Sequence, residues 1–222
     1  MTTVHSLCQA IIATARRLND SGLTAGSSGN VSVRIEDGFL VTPTGMSYAA
    51  LAPADIVRVD SDGAVAPGQR LPSSEWRFHR DIYGARPEAG AIVHVHSPYA
   101  TALACLRRAI PAFHYMVAIA GGDSIRCAPY ATFGTQALSA HVVAALAGRR
   151  ACLLANHGLV AFAGDLEAAF GLAAAVEDLA RQYCLCLSMG EPVLLDAGEM
   201  QRVLAKFASY GAQPPKPGSD SQ

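Results

Sequence analysis

The 222-residue sequence has only two lysines, Lys206 and Lys216, and both lie near its C-terminal end. Enzymes that hold a carbanion as an enamine need a buried lysine with a lowered pKa. A lysine in a final helix or in a polar tail does not fit that role. Schiff-base chemistry of this kind is therefore not expected from this chain.

Several other signatures of function are also missing. The formal net charge of -1 gives no basic field for nucleic acid or anionic lipid. Neither a dinucleotide fingerprint nor a Walker-type phosphate loop occurs, and the six cysteines form no CxxC pair. No apolar run reaches the roughly 18 residues of a membrane span. We therefore expect a cytoplasmic protein with reduced, buried cysteines, whose partner is a small molecule and neither nucleic acid nor membrane.

The composition favours one large core, since 51% of the residues are hydrophobic and 16% are charged. Apolar periodicity is helical near both ends and strand-like in the middle, without an internal repeat or a linker. We predict one α/β domain over residues 1–212. Residues 213–222 are rich in proline and small polar residues, which predicts a disordered tail.

Two histidines alternate along a strand predicted near the middle of the chain. Because successive strand side chains point to opposite faces, His94 and His96 share one face. Glu75 falls in the first turn of the predicted helix that leads into this strand, and His157 follows a later buried strand. Imidazole nitrogens with a carboxylate oxygen suit zinc, so these four residues predict a metal site. Three further histidines on predicted helices have no suitably spaced partner and are predicted to be structural: His5, His79 and His141.

Three short loops combine small residues with hydroxyl and amide groups. One of them lies at the predicted N-terminus of a helix, where backbone N–H groups favour an anion. The loops are therefore predicted to bind the phosphate of a small metabolite. Their polar or small residues are Ser27, Ser28, Gly29, Asn30, Thr44, Gly45, Ser73 and Ser74.

Six motifs, in order along the chain, resemble the class II aldolase/adducin family. They occupy residues 29–34, 42–45, 71–79, 93–96, 110–116 and 128–135, and the similarity continues to residues 206–211. The resemblance implies a single-domain α/β fold with a central, mostly antiparallel β-sheet flanked by helices. It also implies a homotetramer with active sites at subunit interfaces and one zinc ion per subunit.

The resemblance further implies a metal-dependent carbon–carbon lyase. The expected reaction is reversible cleavage of a ketose 1-phosphate, with L-fuculose 1-phosphate as the first choice, into dihydroxyacetone phosphate and L-lactaldehyde. The implied zinc ligands are Glu75, His94, His96 and His157, and the implied phosphate contacts are Ser27, Asn30, Thr44, Gly45, Ser73 and Ser74. Tyr115 would act on the aldehyde from across an interface. The implied residues of the aldehyde pocket are Phe133, Phe207 and Tyr210.

The scarcity of lysine leaves a metal to stabilise the carbanion of such a reaction. Four protein ligands would close a tetrahedral zinc site, whereas a catalytic zinc keeps a position for substrate. We therefore expect Glu75 to leave the metal when substrate binds and to act as the base for the C1 proton. Tyr115 would protonate the aldehyde oxygen in synthesis and take that proton in cleavage.

Other reactions on the same scaffold remain open at this point. L-Rhamnulose 1-phosphate and 5-deoxyribulose 1-phosphate are alternative aldolase substrates, and a ribulose-5-phosphate 4-epimerase, a methylthioribulose-phosphate dehydratase or a non-catalytic adducin-like module are alternative functions. Three residues depart from the pattern of the most similar family members, namely Asn156, Asp123 and Arg126. None of them removes a predicted ligand.

Overall fold

The computed structural model describes residues 3–207, so Tyr210 and the predicted tail lie outside the described residues. Its helices are α1 (Val4–Asp20), α2 (Trp76–Ala85), α3 (Pro98–Cys105), α4 (Gln136–Ala145), α5 (Leu166–Met189) and α6 (Ala197–Phe207). Its strands are β1 (Asn30–Ile35), β2 (Gly38–Val41), β3 (Val57–Asp60), β4 (Ala91–Val95), β5 (Cys127–Ala128), β6 (Ala151–Leu154) and β7 (Gly158–Ala163). Short 3-10 helices span Tyr48–Ala50, Pro53–Asp55 and Tyr115–Ala120.

All seven strands form one sheet in the order β3-β2-β1-β4-β7-β6-β5. Each neighbouring pair is antiparallel except β5 with β6, which is parallel. This confirms the predicted α/β class with a mostly antiparallel sheet. Every residue of β4 is buried, because β4 lies in the centre of the sheet, between β1 and β7, and helices cover both faces.

Helices cover both faces of the sheet. Val93 and Val95 of β4 belong to a core cluster that also contains buried residues of α1, α3 and α5. Ile92 faces the other way and packs in a second cluster with Phe78 and Ile82 of α2 and residues of α4. Alternation along β4 puts His94 on the same face as Ile92, so its ring meets the edge of Phe78 at a centroid distance of 5.5 Å.

Some predicted boundaries are wrong. Glu75 is the N-cap residue of α2 and not part of its first turn. The sequence pattern predicts a short strand over residues 125–128, but the structure reduces it to β5, because Ile125 forms an isolated bridge with Ile110. The pattern of residues 56–59 and 64–65 predicts a hairpin, but the structure has only β3 and a single bridge from Val65 to Val59 there.

The sequence pattern predicts a last helix from about residue 199, and α6 begins two residues earlier. The pattern of residues 113–117 fits helix or strand equally, and the structure begins a 3-10 helix there at Tyr115. The cysteines are free thiols, as expected, but not all are buried: Cys8 and Cys152 are buried, Cys105 is exposed, and the others are intermediate. Within residues 3–207, no helix has both the length and the apolar character needed to cross a bilayer.

Glycine is required where β7 begins beside β4. A Cβ atom at Gly158 would lie 2.4 Å from the Val95 carbonyl oxygen and 2.9 Å from Cδ2 of His96. We predict that Gly158→Ala lowers the free energy of unfolding by about 1–3 kcal/mol, because the two strands must move apart. Denaturant unfolding measures this loss.

Gly171→Ala is the matched control. Gly171 lies in α5, where an added Cβ meets no atom within 4 Å. This substitution should raise the free energy of unfolding by about 0.5–1 kcal/mol, since alanine restricts the unfolded chain. Unchanged stability in Gly158→Ala would contradict the close approach of β4 and β7.

Candidate metal centre and active site

Three histidine rings converge at one end of β4. His94 lies in β4, His96 follows the strand, and His157 lies in the turn between β6 and β7. Their ring centroids are 4.8–4.9 Å apart, and one nitrogen from each ring lies within 4.8 Å of the others. The structure therefore brings together all three histidines that the sequence predicts as metal ligands.

The turn that carries His157 depends on Asn156. This residue has a φ of 54°, in the left-handed region that asparagine tolerates better than most residues. Its side-chain amide donates to the Cys105 carbonyl (3.4 Å) and accepts from Nε of Arg107 (3.1 Å). Asn156, which departs from the family pattern, thus anchors the turn to the end of α3.

The buried carboxylate of Glu75 completes the cluster. Its Oε2 lies 3.1 Å from Nε2 of His94, and its Oε1 lies 3.2 Å from Nε2 of His157. The amide of Asn30 donates to Oε2 at 3.0 Å. Oε1 is buried and makes no hydrogen bond, although Nε2 of His157 lies nearby.

The same atoms fit a divalent cation. Nδ1 of His94 must donate to the Leu159 carbonyl (2.9 Å), because a carbonyl only accepts, and the lone pair of the neutral ring is then on Nε2. That Nε2 is 3.0 Å from Nε2 of His96, so at most one proton can lie between the two atoms. Three imidazole nitrogens and a carboxylate oxygen are a donor set that zinc accepts.

The electrostatics of the cluster favour the ligating forms of Glu75, His96 and His157. Burial, followed by the charge of His94, lowers the pKa of His96 to about 3 and that of His157 to about 4, so both rings are neutral at pH 7. Burial raises the pKa of Glu75, but the charge and hydrogen bond of His94 lead the opposing effects that hold it at about 2. Neutral imidazoles and an ionised carboxylate are the forms that bind metals.

A cavity of about 320 Å³ opens beside this cluster. It is lined by Glu75, His96 and His157 and also by the loops predicted to bind phosphate. The predicted loop and pocket residues among its lining are Ser27, Ser28, Gly29, Asn30, Thr44, Gly45, Ser73, Ser74 and Phe133. The structure therefore gathers the predicted phosphate loops and three of the four predicted metal ligands around one cavity, with His94 buried beside them.

The side chains of two of these residues already make hydrogen bonds with other residues of the chain. Ser73 accepts from the backbone N–H of Glu75 at 3.3 Å, which helps to cap α2. Asn30 donates to Glu75 through Nδ2, and its Oδ1 lies 2.5 Å from Nε2 of His79. A phosphate contact by the Asn30 side chain would therefore use the second hydrogen on Nδ2.

Tyr115, the predicted acid, and Phe207, from the predicted aldehyde pocket, lie elsewhere within this chain. Tyr115 is half exposed and lines a second cavity, of about 710 Å³, together with Phe207 and other residues of α6. His114 stacks on the Tyr115 ring at a centroid distance of 4.8 Å and accepts from the Met116 N–H. Tyr115 and Phe207 thus share a cavity that differs from the one beside the metal ligands.

The other two departures from the family pattern have structural contacts in this chain. Arg126 donates to the carbonyls of Ala145 and Ala147 at the C-terminal end of α4. Asp123 forms an ion pair with Arg149. Neither Asp123 nor Arg126 lines the cavity beside the metal ligands.

His79, predicted to be structural, lies directly behind this site. It is fully buried and makes hydrogen bonds with Asn30 and with Ser32. Both partners are far away in sequence, so neither helical spacing nor strand alternation pairs them with His79. The one available signal was its position on the predicted helix that also carries Phe78 and Ile82 toward the sheet.

Comparison with known proteins gives a consistent result. The family described as the Class II Aldolase and Adducin N-terminal domain matches residues 9–184. A Rhodospirillum rubrum protein named 5-methylthioribulose-1-phosphate/5-deoxyribulose-1-phosphate aldolase is 55% identical over 214 residues, which cover 96% of each chain. An Escherichia coli protein named L-fuculose phosphate aldolase is 50% identical over 208 residues, covering 93% of this chain and 96% of that protein.

A solved structure supports the same assignment. The structure named L-fuculose 1-phosphate aldolase matches with a TM-score of 0.88 and 44% sequence identity, covering 91% of this chain and 96% of that one. The comparisons confirm the prediction of an enzyme, a carbon–carbon lyase of the metal-dependent class II aldolase type. The chain belongs to the class II aldolase and adducin family.

Proposed function

We propose that this protein is a zinc-dependent aldolase that reversibly cleaves a ketose 1-phosphate into dihydroxyacetone phosphate and an aldehyde in the cytoplasm. The observation that carries the proposal is the cavity that Glu75, His96 and His157 line together with the phosphate loops. A phosphorylated ketose needs both, because its phosphate requires donors and its carbonyl requires stabilisation of negative charge.

Glu75, His94, His96 and His157 would hold the ion. Bound there, zinc would act as a Lewis acid that polarises the substrate carbonyl. Glu75 supplies the base, and Oε1 is the atom best suited to take the C1 proton, because it is buried and accepts no hydrogen bond. Ser27, Thr44, Gly45, Ser73 and Ser74, with Asn30, would bind the phosphate near the N-terminus of α2, where the helix dipole favours an anion.

The second cavity supports an active site shared between copies of the chain. Tyr115 is the proposed acid for the aldehyde oxygen, yet it lines a cavity without any of the metal ligands. A second copy can supply the tyrosine that one copy does not bring to its own cavity. We therefore propose a homotetramer with Tyr115, Phe207 and Tyr210 of one subunit acting on the site of another, where Phe133 already lines the cavity.

L-Fuculose 1-phosphate is our first choice of substrate, which would make L-lactaldehyde the aldehyde product. The 50% identity to a protein named L-fuculose phosphate aldolase supports this choice. A second candidate is 5-deoxyribulose 1-phosphate, supported by the 55% identity to the Rhodospirillum rubrum protein. The two ketoses differ at the aldehyde end, where small packing differences are worth roughly 1–3 kcal/mol.

The first prediction concerns substrate and metal together. Protein of determined zinc content should release dihydroxyacetone phosphate from L-fuculose 1-phosphate faster than from other ketose 1-phosphates, including 5-deoxyribulose 1-phosphate. A chelator should abolish release, because the substrate carbonyl loses the Lewis acid that polarises it, and added zinc should restore release. A different best substrate would replace the first choice. No cleavage of any ketose by fully metallated protein would refute the aldolase proposal.

The second prediction concerns the base. Glu75→Gln keeps the shape of the side chain but removes its ability to take a proton, so kcat should fall by about 10²–10⁴-fold. Zinc content must be measured in the same preparation, to separate loss of the base from loss of the metal. Glu167→Gln is the control, since Glu167 pairs with Arg17 at the surface and the change should leave kcat unaltered. Full activity of zinc-loaded Glu75→Gln would remove Glu75 from the role of base.

The third prediction concerns the shared site. Glu75→Gln and Tyr115→Phe should each be nearly inactive alone. When the two variants are mixed and reassembled, about a quarter of the sites should combine an intact Glu75 from one copy with an intact Tyr115 from another. Activity recovered in the mixture therefore supports the shared site. No recovery in mixed oligomers would mean that Tyr115 acts within its own chain or not at all.

A further inference from the structure

A buried chain of hydrogen bonds runs from Tyr83 to Glu75. The Tyr83 hydroxyl lies 2.8 Å from Ser32 Oγ, and that atom lies 2.6 Å from Nδ1 of His79. Nε2 of His79 lies 2.5 Å from Oδ1 of Asn30, whose Nδ2 lies 3.0 Å from Oε2 of Glu75. All five side chains belong to buried residues, so each bond forms without competition from bulk water.

Every bond in this chain has a fixed direction. The ionised carboxylate of Glu75 can only accept, so Asn30 must present its NH₂ group to it. Oδ1 of Asn30 then faces His79, which must donate from Nε2 and accept at Nδ1. Ser32 donates to that nitrogen and accepts from the Tyr83 hydroxyl, and burial, by raising the pKa of Tyr83, keeps that hydroxyl protonated.

The surroundings of His79 favour this single tautomer. Its ring stacks on Phe78 at a centroid distance of 4.7 Å and lies near Phe39. Burial, followed by the charge of His94, lowers the pKa of His79 to about 3, so the ring stays neutral at pH 7. A neutral ring held between Ser32 and Asn30 has one donor and one acceptor, and both are used.

We propose that His79 is a positioning residue that holds the Asn30 amide against Oε2 of Glu75 and so leaves Oε1 as the proton-accepting oxygen. The inference rests on the proposed role of Glu75 as metal ligand and base. Without the bond from His79, the amide can rotate and present its oxygen to the carboxylate, which repels it. Hydrogen bonds behind ligating side chains commonly change metal affinity or activity by about 10–100-fold.

Two variants at position 79 test the proposal. His79→Phe keeps an aromatic ring between its neighbours but removes both hydrogen bonds. His79→Gln retains an N–H donor near the position of Nε2. We expect His79→Phe to weaken zinc affinity of the metal-free protein by about 10–100-fold in a chelator competition, and to lower kcat by a similar factor with little change in KM. His79→Gln should recover most of both losses.

Ile82→Val is the control for simple loss of packing. Ile82 is a buried residue of the same helix and packs in the cluster that contains Phe78. Its side chain has no donor or acceptor and takes no part in the hydrogen-bond chain. Its substitution should lower stability while leaving zinc affinity and kcat unchanged. A loss of zinc affinity equal to that of His79→Phe would show that packing alone is responsible and would overturn the proposal.

Ser32→Ala keeps the test decisive if His79→Phe does not fold. It removes the donor to Nδ1 with a small change in volume, so zinc affinity and kcat should fall by about three- to tenfold. Unchanged values in Ser32→Ala, or a His79→Gln variant as impaired as His79→Phe, would overturn the inference. If Glu75→Gln is inactive while the position-79 variants match the unsubstituted protein, only the positioning role fails. A fully active, zinc-loaded Glu75→Gln would instead refute the proposed function.

Discussion

The rest of the site depends on one buried charge, the ionised carboxylate of Glu75 at the N-terminus of α2. An isolated ion in a protein interior costs of the order of several kcal/mol, so its surroundings must supply opposite charge or hydrogen-bond donors. Three separate regions of the chain meet at this carboxylate: Asn30 donates to Oε2, and Nε2 of His94 and of His157 lie within 3.2 Å of its two oxygens, where a bound cation would supply the opposite charge. The architecture is a means of bringing β1, β4 and the β6–β7 turn to one carboxylate.

The position of β4 makes that convergence possible. As the central strand, it has one neighbour that begins at Asn30 and another that begins just after His157. Helix α2 packs on the face of the sheet to which the His94 side chain points, and the N-cap residue of this helix is Glu75. Close backbone contact at Gly158 keeps β4 and β7 together, so the strand ends next to His96 and His157 are fixed relative to each other.

Sequence patterns predicted the parts of the site that follow from local geometry. Alternation along a strand placed His94 and His96 together, and the polar triplet after a buried strand indicated His157. Local patterns could not show that His79 contacts Asn30 and Ser32, which are 49 and 47 residues away in the chain. Nor could they place Tyr115 in a separate cavity, because packing between distant elements determines which cavity a side chain enters.

The ligands also have a topological meaning. Glu75 and His157 are 82 positions apart in the sequence. Glu75 is the N-cap residue of α2, and His157 lies in the β6–β7 turn. An ion held by both would close a long chain loop, as a disulfide does, and such closures remove most entropy from the unfolded chain when the loop is long. Because the described residues contain no disulfide, an ion bound by both residues would supply a reversible cross-link that the chain otherwise lacks.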